Sequence, residues 1–327
     1  MKMLVPGGAG FIGSHYVRSL LSGAYPGCEQ ARVTVLDRLT YAGNTANLAP
    51  VWDDPRFVFV RGDVTDLGLL RDLVPGHDVI VNFAAETHVD RSITGAGDFV
   101  AANVQGTQCL LQAALEADVV TMVQVSTDEV YGSIDTGSWT ESEPLLPNSP
   151  YSAAKAGADL LCRAYHRTYG LDVRVTRCAN NYGPYQHPEK VIPLFVTNLI
   201  DGRPVPLYGD GRNVREWLHV DDHCRAIQLV LDKGSAGEIY NIGGGAELTN
   251  LELTERLLAA FGVGWEMVTR VPDRPGHDHR YAVDSGKIRA IGYEPRVGFD
   301  RGLAEVVRWY RDNRFWWRSA KAEAHRP

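Results

Sequence analysis

The segment Gly7-Gly8-Ala9-Gly10-Phe11-Ile12-Gly13 decides the fold of this chain. It follows an apolar run at residues 2–5 that is typical of a buried strand, and it leads into a helical pattern at 13–21. Glycines at this spacing let the backbone turn tightly, approach a pyrophosphate and pack the helix on the sheet. The segment therefore predicts a dinucleotide site at the start of the first helix, with a plain tight turn as the alternative.

Short apolar runs alternate with helical patterns through the first 180 residues. The runs are rich in Val and Ile and do not alternate cleanly with polar residues, which is typical of strands buried on both faces of a parallel sheet. The runs lie at 2–5, 32–36, 57–60, 79–84, 119–125 and 173–177, and the helical patterns at 13–21, 66–73, 98–117 and 151–169. This order predicts an α/β fold with a doubly wound parallel sheet of the Rossmann type.

Asp37 and Asp63 follow the second and third predicted strands, where acidic side chains can contact a dinucleotide. A carboxylate at position 37 can bond both ribose hydroxyls and would repel a 2′-phosphate, so we expect NAD rather than NADP. Asp63 is a candidate for contact with the adenine base. The alternatives are a cap at the strand end for Asp37 and a turn-forming role for Asp63.

The pattern loosens after residue 179, which predicts a smaller C-terminal lobe. Turns rich in Gly, Pro and Asp separate helical patterns at 192–200, 221–231, 251–261 and 301–310 from short strands at 217–220 and 237–242. We therefore divide the chain into an NAD-binding domain and a substrate-binding lobe. The domain is predicted at 1–179, with elements near 215–243 returning to it, and the lobe mainly at 180–327.

Composition excludes several classes of protein. The 327 residues carry a formal net charge of −7, which argues against a protein that coats nucleic acid. No apolar run approaches the roughly 18 residues of a membrane span, and the N-terminus does not resemble a signal peptide. Five cysteines without a CxxC pattern fit a reducing compartment, and no ligand spacing indicates a metal. We expect a soluble cytoplasmic protein with no nucleic-acid, membrane or metal partner.

The run Tyr151-Ser152-Ala153-Ala154-Lys155 places a phenol and an ammonium on one face of a predicted helix. The pair could occur by chance, so its position after the fifth strand of a Rossmann-type sheet carries the inference. Removing a hydride from a carbinol also requires a base for the hydroxyl proton, and a nearby ammonium and a positive nicotinamide both favour a phenolate. We predict Tyr151 as the base, with Ser126 or Thr127 orienting the hydroxyl; an ordinary helix face is the alternative.

Together, the glycine segment and the Tyr-x-x-x-Lys pair resemble the extended short-chain dehydrogenase/reductase superfamily, over residues 1–317. Longer strings are similar to one family within it, the dTDP-glucose 4,6-dehydratases. These strings are Leu39-Thr40-Tyr41-Ala42-Gly43-Asn44, Ala84-Ala85-Glu86-Thr87-His88-Val89-Asp90-Arg91-Ser92, Val125-Ser126-Thr127-Asp128-Glu129-Val130-Tyr131-Gly132, Asn180-Asn181-Tyr182-Gly183-Pro184-Tyr185-Gln186 and Asp273-Arg274-Pro275-Gly276-His277-Asp278. The resemblance implies an NAD-dependent lyase of deoxysugar biosynthesis that oxidises, dehydrates and re-reduces a nucleotide-linked hexose.

Asp128 and Glu129 are the residues that would select dehydration, because simple epimerases of the superfamily lack this acidic pair. The C5 proton of a hexose becomes acidic only when C4 is a ketone, so oxidation must precede elimination. Elimination then needs a base at C5 and an acid at the C6 hydroxyl. We assign Glu129 as the base and Asp128 as the acid, whose pKa burial and a neighbouring carboxylate would raise. A capping role is the alternative for both.

The resemblance also implies which residues bind the ligands. Those implied for the cofactor are Gly7, Gly10, Phe11, Ile12, Gly13, Asp37, Arg38, Leu39, Thr40, Asp63, Val64, Ala84, Ala85, Tyr151, Lys155 and Asn181. Those implied for the nucleotide sugar are Thr87, Thr127, Asn180, Lys190, Val191, Pro206, Tyr208, Arg215, Asn250, Arg274 and His277. Pro6 and Ala102 stand where the family usually has threonine, which bears on cofactor affinity; we still expect the purified protein to carry NAD.

Other functions remain open at this point. A relative that acts on a GDP-, CDP- or UDP-linked sugar is the nearest alternative, since the sequence alone does not define the base pocket. A 4-epimerase of the same fold is disfavoured by Asp128 and Glu129, and a catalytically silent NAD-binding protein by the intact Tyr151 and Lys155. The resemblance further implies a homodimer that forms through the helices at 98–117 and 151–169.

Overall fold

The computed structural model describes residues 1–324 of the chain. The strands are β1 (Lys2–Pro6), β2 (Arg32–Asp37), β3 (Phe57–Arg61), β4 (Val79–Asn82), β5 (Thr121–Thr127), β6 (Val173–Cys178), β7 (Asn180–Tyr182), β8 (Val205–Tyr208), β9 (Val214–His219), β10 (Ile239–Ile242), β11 (Ala246–Thr249) and β12 (Val268–Val271). The α-helices are α1 (Phe11–Leu21), α2 (Leu67–Leu73), α3 (Val89–Thr94), α4 (Gly97–Phe99), α5 (Gly106–Glu116), α6 (Pro150–Tyr169), α7 (Val191–Ile200), α8 (Val220–Lys233), α9 (Asn250–Phe261), α10 (Gly286–Ala290), α11 (Phe299–Asp312) and α12 (Arg314–Ala324).

A seven-stranded sheet in the order β10-β6-β5-β4-β1-β2-β3 forms the centre of the molecule. All its neighbouring strands are parallel. Met3 and Val5 of β1 enter the core beneath α1 and α8, whereas Leu4 enters the core beneath α2, α5 and α6. Both faces of the sheet are therefore buried, which explains why its strands lack polar alternation. The predicted doubly wound parallel sheet is confirmed.

The strand order reverses between β1 and β4, because the chain first builds outward through β2 and β3 and then returns. In such sheets, ligands bind in the crevice at the carboxyl ends of the strands beside this reversal. The glycine turn after β1 and the segment after β4 both lie at that edge. The strand order alone therefore indicates that the predicted cofactor site lies at the carboxyl ends of β1 and β4.

The helix predicted at 98–117 is present at 97–116, but it is not α-helical throughout. After α4, residues Val100–Gln105 form a π-helical stretch, and α5 begins at Gly106. Within this stretch the Asn103 side chain accepts a hydrogen bond from the backbone N–H of Glu86 at 2.8 Å and donates one to the Glu86 carbonyl oxygen at 3.0 Å. The π turn therefore packs directly on the segment that follows β4, as is frequent near functional sites.

Several element boundaries differ from those predicted. The strand predicted at 119–125 begins two residues later, as β5, and the strand predicted at 217–220 is β9, which begins at Val214. The region at 202–213, predicted as turns, contains β8. α3 and a 3-10 helix at Thr45–Val51 were not predicted.

A second group of elements packs beside the sheet. A three-stranded sheet in the order β11-β9-β7 and a parallel pair, β12-β8, share an apolar core with α7, α9, α11 and α12. The elements at 215–243 are divided between the two groups: β9 stays with the second, whereas β10 pairs with β6. Among residues 1–324, none of the helices has the length and apolar character that a membrane crossing needs.

Candidate active site

The glycine segment forms the turn between β1 and α1. Gly7 has a φ of +74°, and a Cβ atom there would lie 2.4 Å from the backbone nitrogen of Ala84. A Cβ atom on Gly13 would lie 2.4 Å from the carbonyl oxygen of Gly7. Both positions therefore require glycine, and they bring the N-terminal end of α1, with its unpaired N–H groups, to the ligand edge of the sheet.

Pro6 ends β1 just before this turn. It has no N–H, but its carbonyl oxygen accepts a hydrogen bond from the N–H of Phe83 at 2.9 Å, and the N–H of Gly7 donates to the carbonyl oxygen of Leu36 at 2.8 Å. The chain therefore remains tied to both neighbouring strands at this point despite the proline.

Asp37 ends β2 and holds the glycine turn through its carboxylate. Oδ2 accepts a hydrogen bond from the N–H of Ala9 at 3.0 Å, and Oδ1 accepts one from the N–H of Leu39 at 2.8 Å. Burial raises the pKa of Asp37, while these two bonds and Arg38 oppose the rise. Leu39 has a φ of +60°, a strained conformation for a residue other than glycine and one that clusters at ligand sites.

Arg38 connects two carboxylates at the same edge. Its guanidinium donates to Asp63 Oδ2 at 3.0 Å and to Glu86 Oε1 at 3.1 Å. Burial alone would raise the pKa of Asp63, but hydrogen bonds from Thr65 and Arg38 lower it overall; burial does raise the pKa of Glu86. Sequence reasoning missed Glu86, although its position directly after Ala85 at the end of a parallel strand was a usable signal.

A cavity of about 260 Å³ joins these groups to the predicted catalytic residues. It is lined by every residue implied for the cofactor except Leu39. It is also lined by Thr87, Thr127, Asp128, Glu129, Asn180 and Lys190, and by residues that were not predicted, among them Glu86, Cys178, Gln186 and His187. Ala102 contributes a methyl group to the wall. One cleft therefore serves both the dinucleotide segment and the acid–base residues.

The position of Tyr151 follows from how α6 begins. Ser149 caps the helix: its hydroxyl accepts from the N–H of Ser152 at 3.1 Å, and the Ser152 hydroxyl accepts from the N–H of Ser149 at 3.1 Å. Pro150 occupies the first helical position, where its missing N–H costs nothing. Tyr151 therefore stands in the first turn, buried against the cavity.

Lys155 lies one turn further along α6. Its ammonium donates to the carbonyl oxygen of Val125 at 2.5 Å, and burial lowers its pKa. Burial, followed by the nearby Glu129 carboxylate, raises the pKa of the Tyr151 phenol well above its usual value, while a hydrogen bond with Thr127 lowers it. The sequence predicts that Lys155 favours the phenolate and so lowers the pKa of Tyr151. In the protein without cofactor, burial and Glu129 have the larger effect, and the pKa is raised.

The acidic pair sits on a 3-10 turn, Asp128–Tyr131, directly after β5. Thr127 caps this turn by accepting a hydrogen bond from the N–H of Glu129 at 3.3 Å. Neighbouring residues of a regular strand point to opposite faces, so the turn is what brings both carboxylates to the cavity. Asp128 is 2% exposed, and its Oδ2 has no hydrogen-bond partner among the described residues.

The two carboxyl groups differ in their surroundings. Burial, then Glu129 and Glu216, raise the pKa of Asp128 well above its usual value. Burial also raises the pKa of Glu129, but the positive charges of Arg274, Lys190 and Arg215 oppose the rise. The environment therefore favours a protonated Asp128 beside a Glu129 that ionises more readily.

These three cations come from different elements. Lys190 precedes Val191, the first residue of α7, and its ammonium donates to the carbonyl oxygen of Thr87 at 2.7 Å. Arg215 is buried on β9, and Arg274 lies 3.4 Å from Asp90 Oδ1. They converge on Glu129 electrostatically although their segments are far apart in sequence.

The remaining residues implied for the sugar nucleotide lie beyond the lining of the cavity. They are Val191, Pro206, Tyr208, Arg215, Asn250, Arg274 and His277. Tyr208 donates to Asp90 Oδ2 at 3.3 Å, and its ring centroid is 6.3 Å from that of His277. Pro206 shares β8 with Tyr208, and Asn250 begins α9. The structure thus groups Tyr208, Arg274 and His277 beside β8 and the segment after β12.

The donor set of the cavity fits a dinucleotide with a polar ligand beside its nicotinamide end. Asn181 on β7 is fixed by hydrogen bonds to His223 at 2.9 Å and to the carbonyl oxygen of Ala179 at 3.0 Å. Ser126 Oγ and Asn180 Oδ1 line the same cavity and lack a partner within residues 1–324. In the described part of the chain, no three His, Cys, Asp or Glu residues are grouped as metal ligands.

Comparison with known proteins agrees with this geometry. The family model described as "GDP-mannose 4,6 dehydratase" matches residues 4–306. A dTDP-glucose 4,6-dehydratase of Streptomyces niveus is 62% identical over 323 residues, which cover 98% of this chain and 96% of that protein.

Solved structures give the same result. The crystal structure of DesIV, a dTDP-glucose 4,6-dehydratase from Streptomyces venezuelae with NAD and TYD bound, is 67% identical, with a TM-score of 0.97 and coverage of 98% of this chain and 100% of that chain. A UDP-glucose 4-epimerase of Thermotoga maritima is 31% identical, with a TM-score of 0.87 and coverage of 95% and 99%. This chain belongs to the family of the dTDP-glucose 4,6-dehydratases, within the extended short-chain dehydrogenase/reductase superfamily.

Proposed function

We propose that the chain is an NAD-dependent dTDP-glucose 4,6-dehydratase, a lyase that converts dTDP-glucose to dTDP-4-keto-6-deoxyglucose for deoxysugar biosynthesis. The observation that carries this proposal is the Asp128–Glu129 pair, which lines the same cavity as Tyr151 and the glycine turn. Bound NAD supplies the acceptor for the C4 hydride and, after dehydration, the donor of that hydride to C6.

Tyr151 takes the proton of the C4 hydroxyl as the C4 hydride leaves, which makes C4 a ketone. The phenol must first lose its own proton, and its pKa is raised by burial and Glu129 in the protein alone. A positive charge beside the ring, added with the cofactor, shifts the pKa in the required direction. Thr127, which hydrogen-bonds the phenol, holds it toward the substrate hydroxyl.

Glu129 and Asp128 then carry out the elimination. Glu129 removes the C5 proton, which the C4 ketone has made acidic, and Asp128 protonates the C6 hydroxyl as it leaves as water. The product is an enone that accepts the hydride at C6, and Glu129 returns its proton to C5. The sugar loses one water in total, and the proton that Tyr151 took from the C4 hydroxyl passes to Asp128, which gave its own proton to that water. The raised pKa of Asp128 suits an acid, and the cations around Glu129 suit a base.

The substrate's diphosphate is bound by the cations that surround Glu129. Arg215 and Arg274 can each make paired hydrogen bonds to phosphate oxygens, and Lys190 adds a point charge. Tyr208 and Pro206 on β8 flank the base, and His277 closes over the phosphates. Residues 1–179 therefore mainly bind NAD, and the lobe from residue 180 mainly binds the nucleotide sugar; residues 325–327 lie outside the described part.

We also propose that the chain acts as a homodimer in the cytoplasm. The helical segments at 97–116 and 150–169 carry exposed apolar side chains, namely Val100 (53% exposed), Leu160 (56%) and Tyr169 (57%). A second copy packed against these segments would bury these exposed side chains. All five cysteines are free, which fits a reducing compartment.

Incubation of the purified protein with dTDP-glucose tests the proposed reaction. We expect a product lighter by one water, identified by mass spectrometry, with no net release of NADH. GDP-mannose, CDP-glucose and UDP-glucose serve as competing substrates. Dehydration of one of these in preference to dTDP-glucose would reassign the substrate.

Glu129→Gln tests the assignment of the C5 base. Because glutamine cannot take a proton, we expect elimination to fall by about 100-fold or more while C4 oxidation continues. Reduced cofactor should then accumulate on the enzyme and be visible as NADH absorbance. Glu143→Gln, at an exposed site, is the matched control. Full dehydration by the Glu129→Gln protein would show that another residue removes the C5 proton.

A further inference from the structure

Arg215 is an unusual cation because it is buried but is not paired with a carboxylate. Arg215 is 6% exposed, and the central carbon of its guanidinium lies 4.4 Å from the centroid of the Tyr281 ring. Within residues 1–324, its hydrogen bonds all go to backbone carbonyl oxygens, those of Val214 at 2.7 Å, Asp278 at 2.9 Å and His279 at 3.3 Å. Within the described residues no carboxylate forms an ion pair with it, so its remaining N–H donors are available to an anionic ligand.

Two of the three carbonyl acceptors of Arg215, and the ring beneath it, belong to one segment, residues 278–281. This segment runs between the two halves of the molecule. On one side, His279 accepts a hydrogen bond from the N–H of Val214 at 2.7 Å; on the other, Arg280 accepts one from the N–H of Ile134 at 3.0 Å. The segment therefore connects β9 with the loop that follows the Asp128–Glu129 turn.

Asp278 is the residue that fixes this segment. It is 5% exposed, and both of its carboxylate oxygens are used. Oδ1 accepts from the side-chain amide of Asn148 at 2.6 Å, and Oδ2 accepts from the hydroxyl of Tyr281 at 2.5 Å. Its backbone carbonyl oxygen meanwhile accepts from Arg215. One residue thus orients the carbonyl group and the ring that hold the guanidinium.

The contact with Asn148 also links Asp278 to the beginning of α6, the helix that carries Tyr151. Asn148 directly precedes Ser149, the cap of α6, and Tyr151 follows in the first turn of that helix. The carboxylate of Asp278 therefore joins two positions that the reaction must hold at a fixed separation. One is the guanidinium that meets the phosphates, and the other is the phenol that meets the C4 hydroxyl.

We propose that Asp278 is a positioning residue, which fixes Arg215 for the substrate's diphosphate and sets its distance from the helix that carries Tyr151. This inference rests on the proposed function, since it takes the diphosphate of dTDP-glucose as the ligand of Arg215. Asp278 itself acts through Asn148, Tyr281 and its own carbonyl group and does not contact the substrate. Small errors in such supporting contacts lower catalysis because reacting groups must be held closely.

The affinity for dTDP, measured by calorimetry on the NAD-loaded protein, tests this role. We expect Asp278→Ala to weaken dTDP binding by about tenfold or more, because two buried hydrogen bonds to a charged group are lost. Asp278→Asn, which keeps one acceptor, should lie between Ala and the unaltered protein. Tyr281→Phe keeps the ring and should weaken binding less than Asp278→Ala. Asp284→Asn, exposed and just beyond this segment, is the matched control and should bind as the unaltered protein does.

Two further readouts distinguish positioning from a general loss of structure. The KM for dTDP-glucose should rise in the Asp278 variants while the Kd for NAD stays unchanged. Asp278→Asn combined with Arg215→Lys should bind dTDP about as weakly as Arg215→Lys alone, since both changes act through one contact. Additive losses, or equal dTDP affinity in all variants, would overturn the role of Asp278. Failure of the unaltered protein to bind dTDP would instead overturn the proposed substrate, and this inference with it.

Discussion

Arg38 shows how a single residue can bear on the choice of cofactor. It directly follows Asp37, and an arginine at such a position can bind the 2′-phosphate of NADP. Here Asp63 and Glu86 hold its guanidinium at 3.0 and 3.1 Å. We therefore expect the protein to disfavour NADP in two ways, through the charge of Asp37 and through the ion pairs that engage Arg38.

We expect Asp37→Ser to lower the ratio of the NAD affinity to the NADP affinity, because it removes the carboxylate that repels a 2′-phosphate. Adding Glu86→Gln should strengthen NADP binding further, by roughly fivefold to tenfold, because a charged partner of Arg38 is lost. Titration of the cofactor-free protein with NAD and NADP, followed by intrinsic fluorescence, measures both affinities. Asp72→Asn serves as the exposed control. An unchanged NADP affinity on adding Glu86→Gln would show that Arg38 is not held back by Glu86.

Single residues mark where sequence reasoning stops. The glycine spacing and the Tyr151–Lys155 pair were readable because their chemistry depends on local geometry. Cys178 lies in an apolar run of the sequence, which predicts only a small buried side chain; it is buried, but it also lines the cavity beside Ser126. Burial raises the pKa of its thiol to about 12. A single cysteine in an apolar run has no motif that would mark it as part of a site. The ammonium of Lys155 donates to the backbone of β5, a contact between a helix and a strand that the sequence does not reveal.

At the scale of elements, the beginning of α6 matters most for the site. Its capping box satisfies two backbone groups and sets the direction of the first turn, which carries Tyr151. A shift of that turn would move the phenol relative to Asp128 and Glu129. We therefore expect the cap to contribute to activity as well as to stability.

We expect Ser149→Ala to lower the free energy of unfolding by about 1 kcal/mol, because the helix loses its cap. It should also lower kcat, since Tyr151 is two residues away. Asp66→Ala removes a cap of similar strength from α2, which lies away from the phenol, so it should cost comparable stability with little loss of kcat. Urea unfolding and steady-state kinetics measure the two effects. Equal kcat losses in both variants would argue that the cap acts through stability alone.

Elements that depend on distant partners were the ones misjudged. The helix at 98–117 was predicted from its apolar pattern, but its π stretch forms where Asn103 bonds the backbone of Glu86. β8 was hidden in a region rich in Gly and Pro, because its partner, β12, lies some 60 residues later in the chain. Local propensity cannot reveal either feature, whereas most strands of the main sheet were apparent because both of their faces are buried.

At the scale of the whole molecule, the proposed dimer makes the clearest prediction. Leu160→Lys should convert the dimer to a monomer, because it places a charge in an apolar contact between copies. Size-exclusion chromatography with light scattering measures the mass. Val120→Lys, at a site that is 68% exposed and outside both helical segments, is the matched control. A monomeric unaltered protein, or a Leu160→Lys protein that remains dimeric, would rule out this surface.

The pairing of β10 with β6 has a consequence for how the protein is made. On the ribosome, strands β1 to β6 of the main sheet are complete once residue 178 has been synthesised, but β6 then has one open edge. That edge closes only after a further 64 residues have emerged, when β10 pairs with it at Ile239–Ile242. An open edge of this kind is a template for pairing with other chains. The nascent cofactor half is therefore most exposed to misassembly during translation of the segment between Cys178 and Ile242.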